Sequence, residues 1–537
     1  MTPSKLASAL QEWTALLGAE HVISNRTELS SAETATFASE RTIPAILRPD
    51  SRGQVQECLR IANRFQTPVH PISSGKNWGY GSRLPSSDGC VLLDLGRLNR
   101  ILDFSESLGY VTVEPGVTQR QLYAFLKEIK SRFWMDASGA SPDSSLIGNT
   151  MERGFGHTPY GDHFSYACGL EVVLPTGDVI DTGAARFPNC QSAAVNRWGL
   201  EPSIDGLFSQ SNLGIVTRMS ILLMPEPDRF EAFFYRCDSP DGLPALVDAL
   251  RPLKMQELLR SAMHIANDYK VIGGLRQYPW EEMRGETPLT PEFMAKFRRD
   301  MTFGHWNVSG GLYGTRAQVS EAKRCLRKGF AHLPGKPNFV TVKMLQLAKR
   351  FSRPFKLVTG WDIRRTVELV EPIIDLMRGI PTEHALGSCY WRKRGPIPAD
   401  PDPDRDRCGL LWYSPVAPAD GQKVRQLSRI AIDTMLEFGF EPMISLTMLT
   451  ARTVQCVTSI TYDRDTAGED ERAMNCYRGL AARCTGAGYY PYRLGAQSMD
   501  ELQPETSSSA FLAAVKRVVD PNGILSPGRY EEKTQLG

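Results

Sequence analysis

The sequence predicts an α+β protein of two or three domains, and three observations carry that reading. At 537 residues the chain is too long for one hydrophobic core. A strand–helix–strand pattern near the start runs into a loop with three glycines, Pro71-Ile72-Ser73-Ser74-Gly75-Lys76-Asn77-Trp78-Gly79-Tyr80-Gly81. The texture also changes twice. Glycine-punctuated blocks give way to alternating strands and helices near residue 228 and return near 488.

The elements follow in order. Thr2-Pro3 reads as an N-cap and first-turn proline, and Leu6, Leu10, Trp13 and Leu17 form a helical apolar stripe stopped by Gly18. Ala45-Ile46-Leu47 is a short strand, and Pro49-Asp50-Ser51 caps a helix bearing Val55, Leu59, Ala62 and Phe65. Pro68-Val69-His70 then ends a strand and delivers the glycine loop, where strand ends bring ligand contacts. Val91 to Leu95 and Tyr110 to Val113 are further strands, and Pro115-Gly116-Val117-Thr118 turns into a helix with Leu122, Phe125 and Leu126 on one face. Gly148 to Gly161 is too rich in glycine for core helix or strand and too polar for a plain linker. Gly169 to Leu174, the turn Pro175-Thr176-Gly177-Asp178 and Val179-Ile180 make a hairpin. A last strand ends at Leu223, and Pro225-Glu226-Pro227 marks a boundary. Beyond it lie the strand Phe230 to Tyr235 and helices over Leu243 to Leu250 and Val424 to Phe438. The proline- and aspartate-rich stretch Pro396 to Asp406 reads as an exposed loop.

Small residues in the 71–81 loop let backbone N–H groups turn inward around a diphosphate. Neither common nucleotide loop is present. Lys76 is followed by Asn77 where a Walker loop needs Ser or Thr, and Ser82-Arg83-Leu84-Pro85 cannot open the helix of a Rossmann fingerprint. A surface loop with turn glycines is the competing reading for this segment alone.

Composition narrows the class. With 42% hydrophobic and 23% charged residues and a formal net charge of +2, the chain has no basic excess for nucleic acid or an anionic membrane surface. No apolar run reaches bilayer length, and Met1-Thr2-Pro3-Ser4-Lys5-Leu6 lacks an apolar signal core, so a cytoplasmic protein is expected. Eleven cysteines without a Cys-x-x-Cys pair indicate neither a disulfide framework nor a zinc ribbon, and the eight histidines show no metal-ligand spacing.

Six blocks in register resemble the vanillyl-alcohol oxidase and p-cresol methylhydroxylase family of flavoproteins, closer to the cresol-oxidising branch. They are Ser-Gly-Lys-Asn-Trp-Gly-Tyr-Gly at 74–81, Val-Glu-Pro-Gly-Val-Thr at 113–118 and Gly-Asn-Thr-Met-Glu-Arg-Gly at 148–154. Thr-Pro-Tyr-Gly-Asp-His at 158–163, Asp-Gly-Leu-Phe-Ser-Gln-Ser-Asn at 205–212 and Asp-Pro-Asn-Gly-Ile-Leu-Ser-Pro-Gly-Arg at 520–529 complete the set. The resemblance implies a two-subdomain FAD-binding domain of the p-cresol methylhydroxylase type, formed by residues 1–227 and 489–537. An α+β cap, the substrate domain, is inserted at 228–488. It implies FAD held by Ser73, Ser74, Gly75, Lys76, Asn77, Trp78 and Gly79, with Asn149, Gly154 and Gly156 allowing close approach and Arg529 contributed by the last block.

The implied chemistry is oxidation of a para-substituted phenol. The phenol binds as phenolate, a hydride leaves the benzylic carbon for the flavin, and a quinone methide results. Water addition, a second oxidation or loss of a side-chain carboxylate then decides the product. Tyr80 and the pair Tyr492-Arg493 match the two tyrosines and the arginine that hold the oxyanion.

Departures bear on specificity. Ala140 stands where the oxidase branch has an aspartate near the flavin, and Asp143 would need a shifted loop to serve. His157 replaces a tyrosine; with His163 it reads first as a structural residue beside the cofactor loop, and as a proton-transfer group in the alternative. Gln455 and Ser459 replace a cap histidine and a substrate-side aspartate, and Trp412 joins them in the expected substrate pocket. Leu410 falls where the oxidase branch attaches FAD through histidine. Tyr390, in Cys389-Tyr390-Trp391-Arg392, resembles the attachment tyrosine of the cresol branch, so covalent FAD at Tyr390 is one expectation and non-covalent FAD the other. The expected partners are a phenolic substrate, oxygen or a cytochrome as acceptor, and a second copy in a homodimer. A flavin-binding scaffold without turnover is the alternative function, motivated by the lost aspartate and cap histidines.

Overall fold

The computed structural model describes residues 3–301, 303–352, 363–499 and 507–531. The first helix, Pro3–Leu17, buries Ala9, Trp13 and Leu17 and ends at Gly18, whose φ is +89°; the N-cap expected at Thr2 lies outside the described residues. It packs on the helix Arg52–Phe65, which Ser51 caps by accepting a hydrogen bond from the Gln54 N–H. Both cover a four-stranded sheet ordered Val22–Ile23, Ile46–Leu47, Val91–Asp94, Val69–Ile72, in which the last three run parallel. This is the expected strand–helix–strand unit, and it leaves the glycine loop at a strand's C-terminal end.

A second, antiparallel sheet has five strands ordered Ile101–Ser105, Tyr110–Val113, Ile215–Leu222, Ala167–Val173, Val179–Asp181. Thr118 opens the helix Gln119–Glu128 with a reciprocal capping box to Gln121, and Leu122 and Leu126 fill this sheet's core.

A third sheet has eight strands, all from residues 229 to 463 and all antiparallel. Alternation along its strands separates two faces. Ile265, Leu446 and Cys456 pack under the helices Leu243–Met255, Gly421–Glu437 and Glu469–Gly486, whereas His264, Thr447 and Ser445 point the other way, into a cavity. The chain then returns to the first two sheets. Val515 and Val519 of the helix Ser507–Val519 pack on the five-stranded core, Ile524 and Leu525 enter the four-stranded one, and Leu525 bridges to Val69.

Two expectations need correction. Leu146–Met151 is helical despite its glycine, because Ser145 caps it by accepting from the Gly148 N–H. The Pro396 to Asp406 stretch is exposed only in its first half. Asp402, Asp404 and Asp406 fold back to bind Lys76, Trp78, Ser82 and Tyr390. A proline-rich composition signals a turn, but not the polar partners that bury it.

Candidate active site

A cavity of about 430 Å³ lies where the three sheets meet. Ser73, Ser74, Gly75, Lys76, Asn77 and Trp78 form one wall, and Ser145, Gly148, Asn149 and Gly154 face them. The Ser145 N–H donates to Ser74 Oγ at 3.0 Å, tying the two walls together. Gly148 is required by this approach, since a Cβ there would overlap Ser73 Oγ. Gly79 and Gly156 do not line the cavity. Gly79, with φ +75°, lets Trp412 approach to 3.1 Å of where a Cβ would sit, and Gly156 abuts the Asp136 carboxylate. Lys76 is turned to Asp402 at 3.1 Å.

Tyr80, Tyr492 and Arg493, far apart in sequence, meet at one end. The Tyr80 hydroxyl shares a 2.8 Å hydrogen bond with Ser414 Oγ, and the Arg493 guanidinium lies 3.9 Å over its ring. Burial, with Tyr492 nearby, pushes the Tyr80 phenol well above its ordinary value, against the opposing pull of Arg493. Arg493 donates to Asn77 Oδ1 at 2.6 Å and lies 3.7 Å from Glu152, which also pairs with Arg529. Its buried Nε–H has no acceptor among the described residues.

The eight-stranded sheet supplies the opposite wall. Ser459 sits directly across from Trp412, both line the cavity, and Ser459 Oγ has no partner among the described residues. Gln455 lies on the same strand but does not line the cavity. His157 stacks on His264 with ring centres 4.5 Å apart. The His157 Nδ1–H donates to the Ala137 carbonyl at 3.1 Å, His264 Nδ1 meets Thr447 Oγ1 at 3.1 Å, and His264 Nε2 is unpartnered among the described residues. Burial lowers both imidazoles, His264 well below its ordinary value. His163 bridges Asn149 and Asp136, each at 2.7 Å.

Two expected residues lie elsewhere. Asp143 is 49% exposed, held by Arg120 at 2.7 and 3.0 Å, and does not line the cavity; the loop is not shifted to bring it in. Tyr390 is fully buried, donates its hydroxyl to Asp406 at 2.6 Å and does not itself line the cavity, whereas its neighbour Cys389 does. The sequence reading missed Glu152, His264, Lys270, Ser414, Ser445 and Thr447. The last two were open to detection as alternate polar positions in an otherwise apolar strand, Met443–Met448.

Residues 43–183 match the FAD binding domain family. Over 99% of its length the chain is 43% identical to 1'-carboxy-chondrochloren decarboxylase of Chondromyces crocatus, covering 98% of that protein. It is 31% identical to the 4-cresol dehydrogenase [hydroxylating] flavoprotein subunit of Pseudomonas putida, over 98% of this chain and 96% of that one. The chain belongs to the vanillyl-alcohol oxidase and p-cresol methylhydroxylase family of flavoproteins. The crystal structure of p-cresol methylhydroxylase with substrate bound superimposes with a TM-score of 0.87 at 30% identity, covering 99% of this chain and 98% of that one. The α+β, two-subdomain FAD-binding fold expected from the sequence is therefore the observed one, and the protein is an FAD-dependent oxidoreductase of this family. The residues present fit the cofactor: the glycine approach at Gly148 leaves a backbone-lined cradle, and the buried polar atoms of Arg493, His264 and Ser459 left without partners among the described residues belong to side chains that line the same space. Among the described residues no helix is long and apolar enough to cross a membrane.

Proposed function

We propose that this oxidoreductase removes a hydride from the benzylic carbon of a para-substituted phenol through a quinone methide, and that the side chain then loses a carboxylate as CO₂. In this reading residues 1–227 and 489–537 hold FAD without a bond to Tyr390, and 228–488 form the cap. Bound FAD supplies the two-electron acceptor. The chain's own residues ionise and orient the phenol: Arg493 supplies the charge, and Tyr80 and Tyr492 supply neutral donors to the same oxygen. One observation supports this reading above the others, the meeting of the Arg493 guanidinium, 3.9 Å over the Tyr80 ring, with Tyr492 at one end of the cavity. A guanidinium beside two phenol hydroxyls suits an anionic oxygen. The decarboxylase named among the relatives supports the carboxylate-loss outcome over hydroxylation. Oxygen or a cytochrome reoxidises the flavin.

The test is anaerobic stopped-flow reduction of bound FAD by a para-substituted phenol. Arg493→Ala removes a charge-assisted hydrogen bond worth about 1.5–3 kcal/mol, so reduction or binding should weaken roughly tenfold to more than hundredfold. The phenol's methyl ether, which cannot ionise, should be inert. If Arg493→Ala matches wild type in rate and affinity, the phenolate reading fails.

A further inference from the structure

Four cations line the cavity, and one of them has no partner within the described protein. Lys76, Lys270, Arg493 and Arg529 all line it, and Glu152 is the one carboxylate among the described lining residues. Three of the four cations are already matched: Lys76 by Asp402, Arg529 by Glu152, and Arg493 by Asn77 and Glu152. Lys270 is not. Among the described residues its ammonium has no hydrogen bond and no ion pair, and the titratable group acting on it is the Cys389 thiol. Burial lowers its pKa, as expected for a cation withdrawn from water without a counter-ion.

Its position argues for a substrate contact. Lys270 lies in the first turn of the helix Asp268–Leu275, which follows the cap strand Met263–Asn267 and packs against the strand Met443–Met448 and the 384–390 turn. The lysine thus belongs to the cap wall with Ser388, Cys389, Ser445 and Ser459, whereas the glycine loop lies on the four-stranded sheet. The cap wall is otherwise neutral.

We propose that Lys270 is the specificity residue for an anionic side chain, pairing with a carboxylate on the alkyl group of the phenolic substrate. This rests on the phenol-oxidising reading above and names the group that lets the site select acids. The net reaction balances for para-hydroxyphenylpropanoic acid. The benzylic hydride and the phenol proton leave, the carboxylate departs as CO₂, and its electron pair forms the vinyl double bond as the ring regains its phenolate. FAD takes up the two electrons. Lys270 holds the carboxylate ionised before bond breaking, so its effect falls on binding more than on the step in which that charge is lost.

The experiment uses the FAD-bound enzyme, para-hydroxyphenylpropanoate and its uncharged amide. Binding is read anaerobically from perturbation of the flavin absorbance, and reduction from its bleaching. Wild type should prefer the acid. Lys270→Met should weaken acid binding by roughly tenfold to hundredfold, the size of a charge-assisted contact, while the amide changes by less than about threefold. Lys270→Arg, which keeps the charge, should retain most of the preference. Equal loss for acid and amide, failure of Lys270→Met to retain FAD, or a wild type indifferent to the carboxylate would each overturn the proposal. Failure of the underlying reading looks different: the methyl ether of the phenol would reduce the flavin as well as the free phenol.

Discussion

At the scale of single residues, burial keeps the Tyr80 phenol protonated and Ser414 shares a hydrogen bond with it at 2.8 Å, which suits the donor role proposed for it. Tyr80→Phe should slow flavin reduction by a phenol about twofold to tenfold, since a neutral hydrogen bond contributes about 0.5–1.5 kcal/mol. FAD content should stay at the wild-type level; loss of flavin instead would make Tyr80 a cradle residue. Its meeting with Tyr492 and Arg493 was legible through the family resemblance, which matched Tyr80 in the 74–81 block and the Tyr492-Arg493 pair to one oxyanion cage. Lys270 was not legible. In Asn-Asp-Tyr-Lys-Val it reads as an ordinary helical lysine, and only the packing of its helix against the eight-stranded sheet withdraws it from water. Gly79 shows the same limit from the other side: a glycine signals close approach without naming what approaches, and here it is Trp412.

At the scale of elements, the 402–406 turn acts as a clasp on the glycine loop. Asp404 accepts hydrogen bonds from the Trp78 indole N–H at 3.1 Å and from Ser82 Oγ at 2.7 Å, and Asp402 pairs with Lys76. Proline and aspartate density predicted solvent exposure here. The carboxylates escape it because an indole and a hydroxyl wait as partners 326 and 322 residues away in sequence, separations that no local pattern encodes. Burial, with Asp402 adding repulsion, pushes the Asp404 carboxyl up to about 7. Its folded-state pKa therefore exceeds the unfolded value near 4. The folded chain binds the extra proton, so this group's contribution to stability is fullest below about pH 4 and is lost as pH rises through about 7. Asp404→Asn cannot titrate and forfeits one of the two hydrogen bonds. Relative to wild type its stability should rise between about pH 4 and pH 7, measured as the difference of denaturation midpoints. A pH-independent difference would mean that Asp404 stays ionised in the clasp.

At the scale of the molecule, the two N-terminal sheets are joined by a strap from the chain's other end. The strap lies in the Asp-Pro-Asn-Gly-Ile-Leu block, which reads in sequence as a cofactor marker. Its core is structural. The buried Asp520 carboxylate accepts from the Ile524 and Leu525 N–H groups at 3.0 and 2.9 Å, and pairs with Lys516 at 2.7 Å. Lys516 in turn donates to the carbonyls of Asn212 and Leu525, each at 2.8 Å, so one ion pair pins the strap to both sheets. The same segment carries Arg529 into the cavity beside Glu152. One segment of chain thus carries both the strap and a cavity-lining arginine. Asp520→Asn leaves the buried Lys516 facing only Glu531, 4.0 Å away, among the described carboxylates, and one strap N–H without an acceptor. Breaking a buried pair by removing one partner costs about 3–5 kcal/mol, and Glu531 should hold the loss near the lower end. The variant should melt earlier and release FAD at lower denaturant than wild type, whereas Asp143→Asn, at the surface on Arg120, should do neither. If Asp520→Asn keeps its flavin through the wild-type unfolding transition, the strap does not hold the site together.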